Sequence, residues 1–233
     1  MSLRTHPVVV AARNIGRAIG LNRVLARIRP ASGYEDRFHQ LAMSCIRPGD
    51  CVWDVGANIG FYTTQFANRV GSAGRVFAFE PSPANCTRLR SATSALANVE
   101  VLQQALGDRK GAVDFAQGAD EIGATSRVLD GKTPLGAAIT VPVTTGKTAI
   151  DDGAASVPNV IKIDTEGYEL EVITGLGEVL GDARVRALLI EVHFGLLAER
   201  GMSGAPSEIE RLLESRGFKL EWPDSSHLVA TRA

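Results

Sequence analysis

Asp54 stands directly ahead of a small-residue turn, Gly56-Ala57-Asn58-Ile59-Gly60, and an apolar run leads into it from Cys51. Small residues there let a ligand approach the main chain, and the first turn of a following helix offers free N–H groups. Twenty-six positions later, Glu80 closes a second apolar run, Arg75–Phe79. An acid at that place in a nucleotide-binding fold accepts the hydroxyls of a ribose. A third run, Val160–Ile163, ends in Asp164, and a fourth ends near Glu191, with His193 just beyond. Acids and a histidine at strand ends suit general-base work. Asp164, Glu166 and His193 are the candidates, with Lys162 on Asp164's side of its strand. Bland readings stand beside these: Asp164 as a helix cap, Glu166 as a first-turn acid favoured by the helix dipole, His193 as an ordinary strand-end residue. Two acids and a histidine could also hold a divalent metal, but no tight ligand spacing supports that and no metal ligand is assigned.

The ligand's charge is the next inference. A pyrophosphate binder favours G-x-G-x-x-G with helix N–H groups facing the phosphates. Asp54 ahead of the turn disfavours that anion and favours a ligand carrying positive charge. S-adenosylmethionine has a ribose, an α-ammonium and a sulfonium, so it is preferred over NAD. An NAD-binding oxidoreductase remains the first alternative. A non-catalytic cofactor-binding module with a basic head for a partner or membrane is the second.

The elements that must position these residues follow a strand–helix rhythm. Strands are expected at Cys51–Val55, Arg75–Phe79, Val99–Leu102, Val160–Ile163 and Val185–Val192. Helices are expected at Gly60–Val70, from a Ser82 cap to about Ala95, at Tyr168–Thr174 and at Pro206–Arg216. Such βαβ units imply a parallel sheet. Phe218–Trp222 and His227–Thr231 read as a closing hairpin. Residues 117–146 interrupt the rhythm and read as a substrate-side insertion of antiparallel strands and a mobile loop. Ahead of the domain, residues 8–28 and Tyr34–Ile46 read as helices. The expected division is a helical extension over 1–47 and a catalytic domain over 48–233.

Four segments occur in register: Asp54–Thr63, Phe79–Asn85, Ala105–Asp108 and Lys162–Glu169. Together they resemble the FkbM family of S-adenosylmethionine-dependent methyltransferases, over roughly residues 34–231. The resemblance implies an α/β class I, Rossmann-like fold. Its mostly parallel seven-stranded sheet has order 3-2-1-4-5-7-6, with strand 7 antiparallel. It implies that the turn holding Asp54, Gly56, Ala57, Asn58, Gly60 and Thr63 cradles the methionine part of the cofactor. Glu80, with Pro81 and Ser82, would bind the ribose; Gln104 and Ala105 would flank the adenine; Asp164 would also contact the cofactor. It implies methyl transfer to a hydroxyl on a sugar or natural-product-type molecule. Tyr34-Glu35 resembles a short motif ahead of the domain that could fold over the cofactor.

Composition narrows the class. The chain has 233 residues, 45% apolar and 22% charged, enough for a sizeable core. Six arginines precede the first acid, Glu35, so the head carries +6 and the remainder −7 of the total −1. An acidic body argues against a nucleic-acid partner, and the resemblance implies a small-molecule acceptor. The basic head leaves contact with a membrane or a partner open, and homodimerisation is open too. Three cysteines without a CxxC spacing read as free thiols in a reducing compartment. No run is long enough for a transmembrane span, and the expected location is the cytoplasm.

Overall fold

The computed structural model describes residues 35–116, 127–128 and 138–232. The helix expected over 8–28, Tyr34 and most of the 117–138 loop lie outside the described residues. The main sheet has seven strands: β1 (Cys51–Val55), β2 (Arg75–Phe79), β3 (Val99–Leu102), β8 (Val160–Ile163), β9 (Ala187–Glu191), β10 (Lys219–Glu221) and β11 (His227–Thr231). Their spatial order is β10-β11-β9-β8-β1-β2-β3. Only β11 runs against its neighbours, pairing antiparallel with both β9 and β10. This is the class I methyltransferase order expected from the sequence.

Side-chain alternation gives the sheet two apolar faces. Trp53, Phe77, Phe79, Ile161, Leu188 and Ile190 point to one face, under α5 (Glu169–Leu176) and α7 (Ala205–Ser215). Val52, Val76, Val160, Leu189 and Val229 point to the other. There α1 (Glu35–Cys45) and α2 (Phe61–Val70) cover them with Phe38, Ala42, Phe66 and Val70. Each fully buried large side chain contributes about 1.5–3 kcal/mol. The third helix, α3 (Pro83–Ala92), starts as expected: Ser82 Oγ accepts from Asn85 N–H and Pro83 takes the first turn. Thr93 ends it, three residues before the expected stop.

A second, four-stranded sheet fills the expected insertion. It contains β4 (Ala105–Leu106), β5 (Gly111–Ala116), β6 (Arg127–Val128) and β7 (Ala138–Thr144), in the order β4-β7-β5-β6. The β5–β7 and β5–β6 pairs are antiparallel and β4–β7 is parallel. Three short elements escape the sequence pattern. They are α4 (Gly146–Asp151), a 3-10 turn (Gly177–Gly181) and α6 (Phe194–Glu199). Each is a turn or two long, too short to show a helical period. One placement is corrected. Glu166 is not in a helical first turn, because Gly167 (φ 91°) and Tyr168 delay α5 to Glu169, and Glu166 itself sits at φ 50°. Asp164 therefore caps no helix.

Candidate active site

Gly56 makes the floor of the site possible. It has φ 77°, and a Cβ there would lie 1.8 Å from the Asp164 carbonyl oxygen. Only glycine lets the turn after β1 press against the end of β8. Gly56 and Ala57 N–H groups donate to Phe79 O, which ties the turn to β2 as well. Glu80 follows, buried at 4% exposure. Asn58 N–H donates to its Oε2 at 2.8 Å and Ser82 N–H to its Oε1 at 2.9 Å. Burial raises the Glu80 pKa, and these two bonds, Asn85 and Lys162 oppose it.

Two concavities open at the carboxyl ends of the strands. The first is walled by Gly56 and Asn58, Glu80, Pro81 and Asn85, Ala105 and Leu106, and Asp164, Thr165, Glu166 and Tyr168. Phe115 and Val128 of the second sheet, paired across β5 and β6, close it. Two atoms in this wall, Asn58 Oδ1 and Thr165 Oγ1, are buried without a hydrogen-bond partner. Buried polar groups normally have one, so this wall fits a polar ligand. The cavity-facing carboxylates of Glu80, Asp164 and Glu166 suit the ribose and positive charge of S-adenosylmethionine. The second concavity is a cleft on the α1–α2 side, lined by Phe38, His39, Phe61, Tyr62, Thr64, Gln65, Lys162, Asp164, Glu191 and His227. Asp164 belongs to both.

Register explains the polar cluster between them. Asp54 lies beside Lys162 in the β1–β8 pairing, and His227 beside Glu191 in the β9–β11 pairing. Lys162 Nζ lies 3.4 Å from Asp54 Oδ1 and 3.2 Å from Asp164 Oδ2. Burial disfavours the lysine's charge, but the two carboxylates prevail and raise its pKa. Thr63 Oγ1 donates to Asp54 Oδ2 at 2.6 Å. Asp54 and Thr63 are fully buried and stand behind the cavity wall. Lys162 and Thr63 face its two oxygens, and Asp54 Oδ1 is left without a hydrogen-bond partner. Gln104, Ala57, Gly60 and Ser82 also fall outside the lining. Ser82 acts on it through Glu80, and Gly60 (φ 95°) opens α2.

His193 Nδ1 lies 2.8 Å from Glu169 Oε1. A carboxylate only accepts, so Nδ1 carries the hydrogen. Nε2 faces Glu166 Oε2 at 3.4 Å and Asp164 Oδ1 and Glu191 Oε1 at 3.8 Å each. Burial works against charge on this ring, yet the Glu169 bond and the surrounding carboxylates raise its pKa to about 10. Burial pushes Glu166 up to about 7. Burial would raise Glu191 too, but His227, His193 and Lys162 draw it down to about 2. Two members of this cluster were not singled out from sequence, Glu169 and His227, and Glu191 was picked out as a strand-end acid without a role. Glu191-x-His193 at a strand end was the available signal, since alternation puts both on one side. Thr165 was missed too; its only signal is its place between Asp164 and Glu166.

All three cysteines are free thiols. Cys86 is fully buried, its thiol donates to the Glu80 carbonyl oxygen, and burial pushes its pKa up to about 12. Among the described residues no helix is long and apolar enough to cross a membrane.

A seven-stranded sheet with one antiparallel strand, a Gly turn after β1 and an acid after β2 defines a class I, S-adenosylmethionine-dependent methyltransferase. Residues 54–220 match the methyltransferase FkbM domain, and the chain belongs to that family. It is 28% identical over 196 residues to the hexuronic acid methyltransferase AglP of Haloferax volcanii, covering 84% of this chain and 74% of that one. It is 29% identical to the 31-O-demethyl-FK506 methyltransferase FkbM of Streptomyces tacrolimicus, covering 74% of each. Among solved structures, the methyltransferase FkbM of Methylobacillus flagellatus shares the fold at TM-score 0.51 and 16% identity. That match covers 83% of this chain and 50% of that chain, so this chain spans about half its length. Family membership sets aside the NAD-dependent oxidoreductase alternative.

Proposed function

We propose that this chain methylates a hydroxyl on a sugar or natural-product-type small molecule, with the donor in the Glu80 cavity and the acceptor in the α1–α2 cleft. The carrying observation is that Asp164 lines both concavities. The two named relatives act, by their names, on a hexuronic acid and on 31-O-demethyl-FK506, which supports an oxygen acceptor. The cofactor supplies a methyl group already activated on a sulfonium, so the protein's work is alignment and removal of the hydroxyl proton. Gly56, Asn58, Glu80 and Ala105 hold the donor, and Thr165 joins them. Glu166 is the base. Asp164 is engaged by Lys162, Glu191 by His227, and Glu169 by His193 and Gly167 N–H. Glu166 has only the 3.4 Å His193 contact among the described residues, which leaves its carboxylate available. His193, fixed by Glu169, orients the acidic cluster rather than receiving the proton.

The acceptor class is tested with purified protein, methyl-labelled cofactor and a panel of uronic acids, neutral sugars and hydroxylated polyketide-type compounds. The expected product is a methyl ether that survives mild alkaline hydrolysis. Label recovered only as an alkali-labile ester, or only on nitrogen, contradicts the proposal.

A further inference from the structure

Four carboxylates, Asp164, Glu166, Glu169 and Glu191, lie within 3.8 Å of the His193 ring nitrogens. The arrangement is also ordered, because each inner group has its other polar atom tied outward. His193 Nδ1 is held by Glu169, Asp164 Oδ2 by Lys162 at 3.2 Å, and Glu191 Oε2 lies 3.6 Å from His227 Nε2. His193 Nε2 lies 3.8 Å from both Asp164 Oδ1 and Glu191 Oε1, and one ligand atom from each of the three residues lies within 4.8 Å of the others. The His193 side chain is nine-tenths buried. Its Nε2 sits 3.4–3.8 Å from the carboxylates, longer than a good N–H···O bond. In the same cluster Glu169, fully buried, keeps its Oε2 without a hydrogen-bond partner.

We propose that Asp164 Oδ1, Glu191 Oε1 and His193 Nε2 bind a divalent cation that accepts mixed oxygen and imidazole donors, of the Mn2+ type. Mixed oxygen and imidazole ligation suits Mn2+. An imidazole whose second nitrogen is held by a carboxylate is the usual outer arrangement of a metal-bound histidine. Asp164 and Glu191 also line the α1–α2 cleft, so the cation would meet the acceptor there. A hydroxyl bound to it ionises more readily: the O–H bond breaks, the electron pair stays on oxygen and the proton passes to Glu166. That role rests on the acceptor reading of the cleft; cation binding itself does not.

The experiment uses the full chain, stripped with EDTA, dialysed and titrated with Mn2+ alone, without cofactor or acceptor, and followed by calorimetry and electron paramagnetic resonance. One Mn2+ per chain is expected, with coupling to a single imidazole nitrogen in the wild-type protein, a readout that needs no variant. Folded Glu191→Gln should bind at least tenfold more weakly, and Glu169→Gln ten- to a hundredfold more weakly through loss of the outer bond. No Mn2+ uptake, uptake without nitrogen coupling, or unchanged affinity in folded Glu191→Gln overturns the site. A chain that binds Mn2+ as described yet methylates no hydroxyl contradicts the proposed function and leaves the cation site standing.

Discussion

The donor cavity and the acceptor cleft share Asp164 but are built differently. The cavity is made mostly of backbone and fixed contacts: a glycine turn pressed on β8, a carboxylate held by two main-chain N–H groups, and apolar walls from two sheets. The cleft is made of side chains: aromatic rings from α1 and α2, and charged groups from three strand ends. One common ligand needs one rigid cradle, while different acceptors need exchangeable walls. On the proposed reading, donor recognition rests where the main chain dictates shape and acceptor recognition rests on side chains.

Several substitutions would break or sharpen that contrast. The largest effect on stability is expected at the seam. Lys162→Met leaves Asp54 buried and uncompensated, which costs about 3–5 kcal/mol. Urea unfolding measures it, and adding Asp54→Asn should restore much of the loss; a stable single variant would mean the seam is not held by this ion pair. Gly56→Ala comes next, combining a left-handed backbone with a Cβ clash on Asp164 O, and about 3 kcal/mol is expected. The same unfolding assay decides it, and a loss under 1 kcal/mol would show that the turn can move away from β8. At the other extreme, Arg37→Ala removes an exposed pair with Glu221, its side chain 59% accessible, and should cost at most about 1 kcal/mol. A larger loss would make the rim of the cleft structural.

The same contrast governs what was legible in the sequence. Cys51–Val55, Arg75–Phe79 and Val160–Ile163 are apolar runs between turns, and they fold as the strands their pattern predicts. The donor cavity follows from them, because Gly56, Glu80 and Asp164 are fixed by position along single segments. Asp54 has a neighbour that no single segment contains. Its partner Lys162 is 108 positions away and becomes its neighbour only through the β1–β8 register. The Glu191–His227 contact was hidden in the same way, since an antiparallel pairing brings the two together. Glu169 was hidden differently: as a fully buried acid inside an amphipathic segment, it gives no sign of facing a histidine. Local residues write the donor side, and the order of the strands writes the acceptor side.

The central claim is that donor binding rests on Glu80 and proton removal on Glu166. Calorimetric titration of S-adenosylmethionine into Glu80→Ala and Glu166→Gln, paired with turnover at saturating cofactor, tests it most directly. Glu80→Ala should weaken cofactor binding by about 1.5–3 kcal/mol, since it removes a charged acceptor. Glu166→Gln should keep cofactor affinity near that of the wild type while turnover falls about 10²–10⁴-fold. Cofactor affinity lost equally in both variants, or turnover untouched in folded Glu166→Gln, would contradict the division.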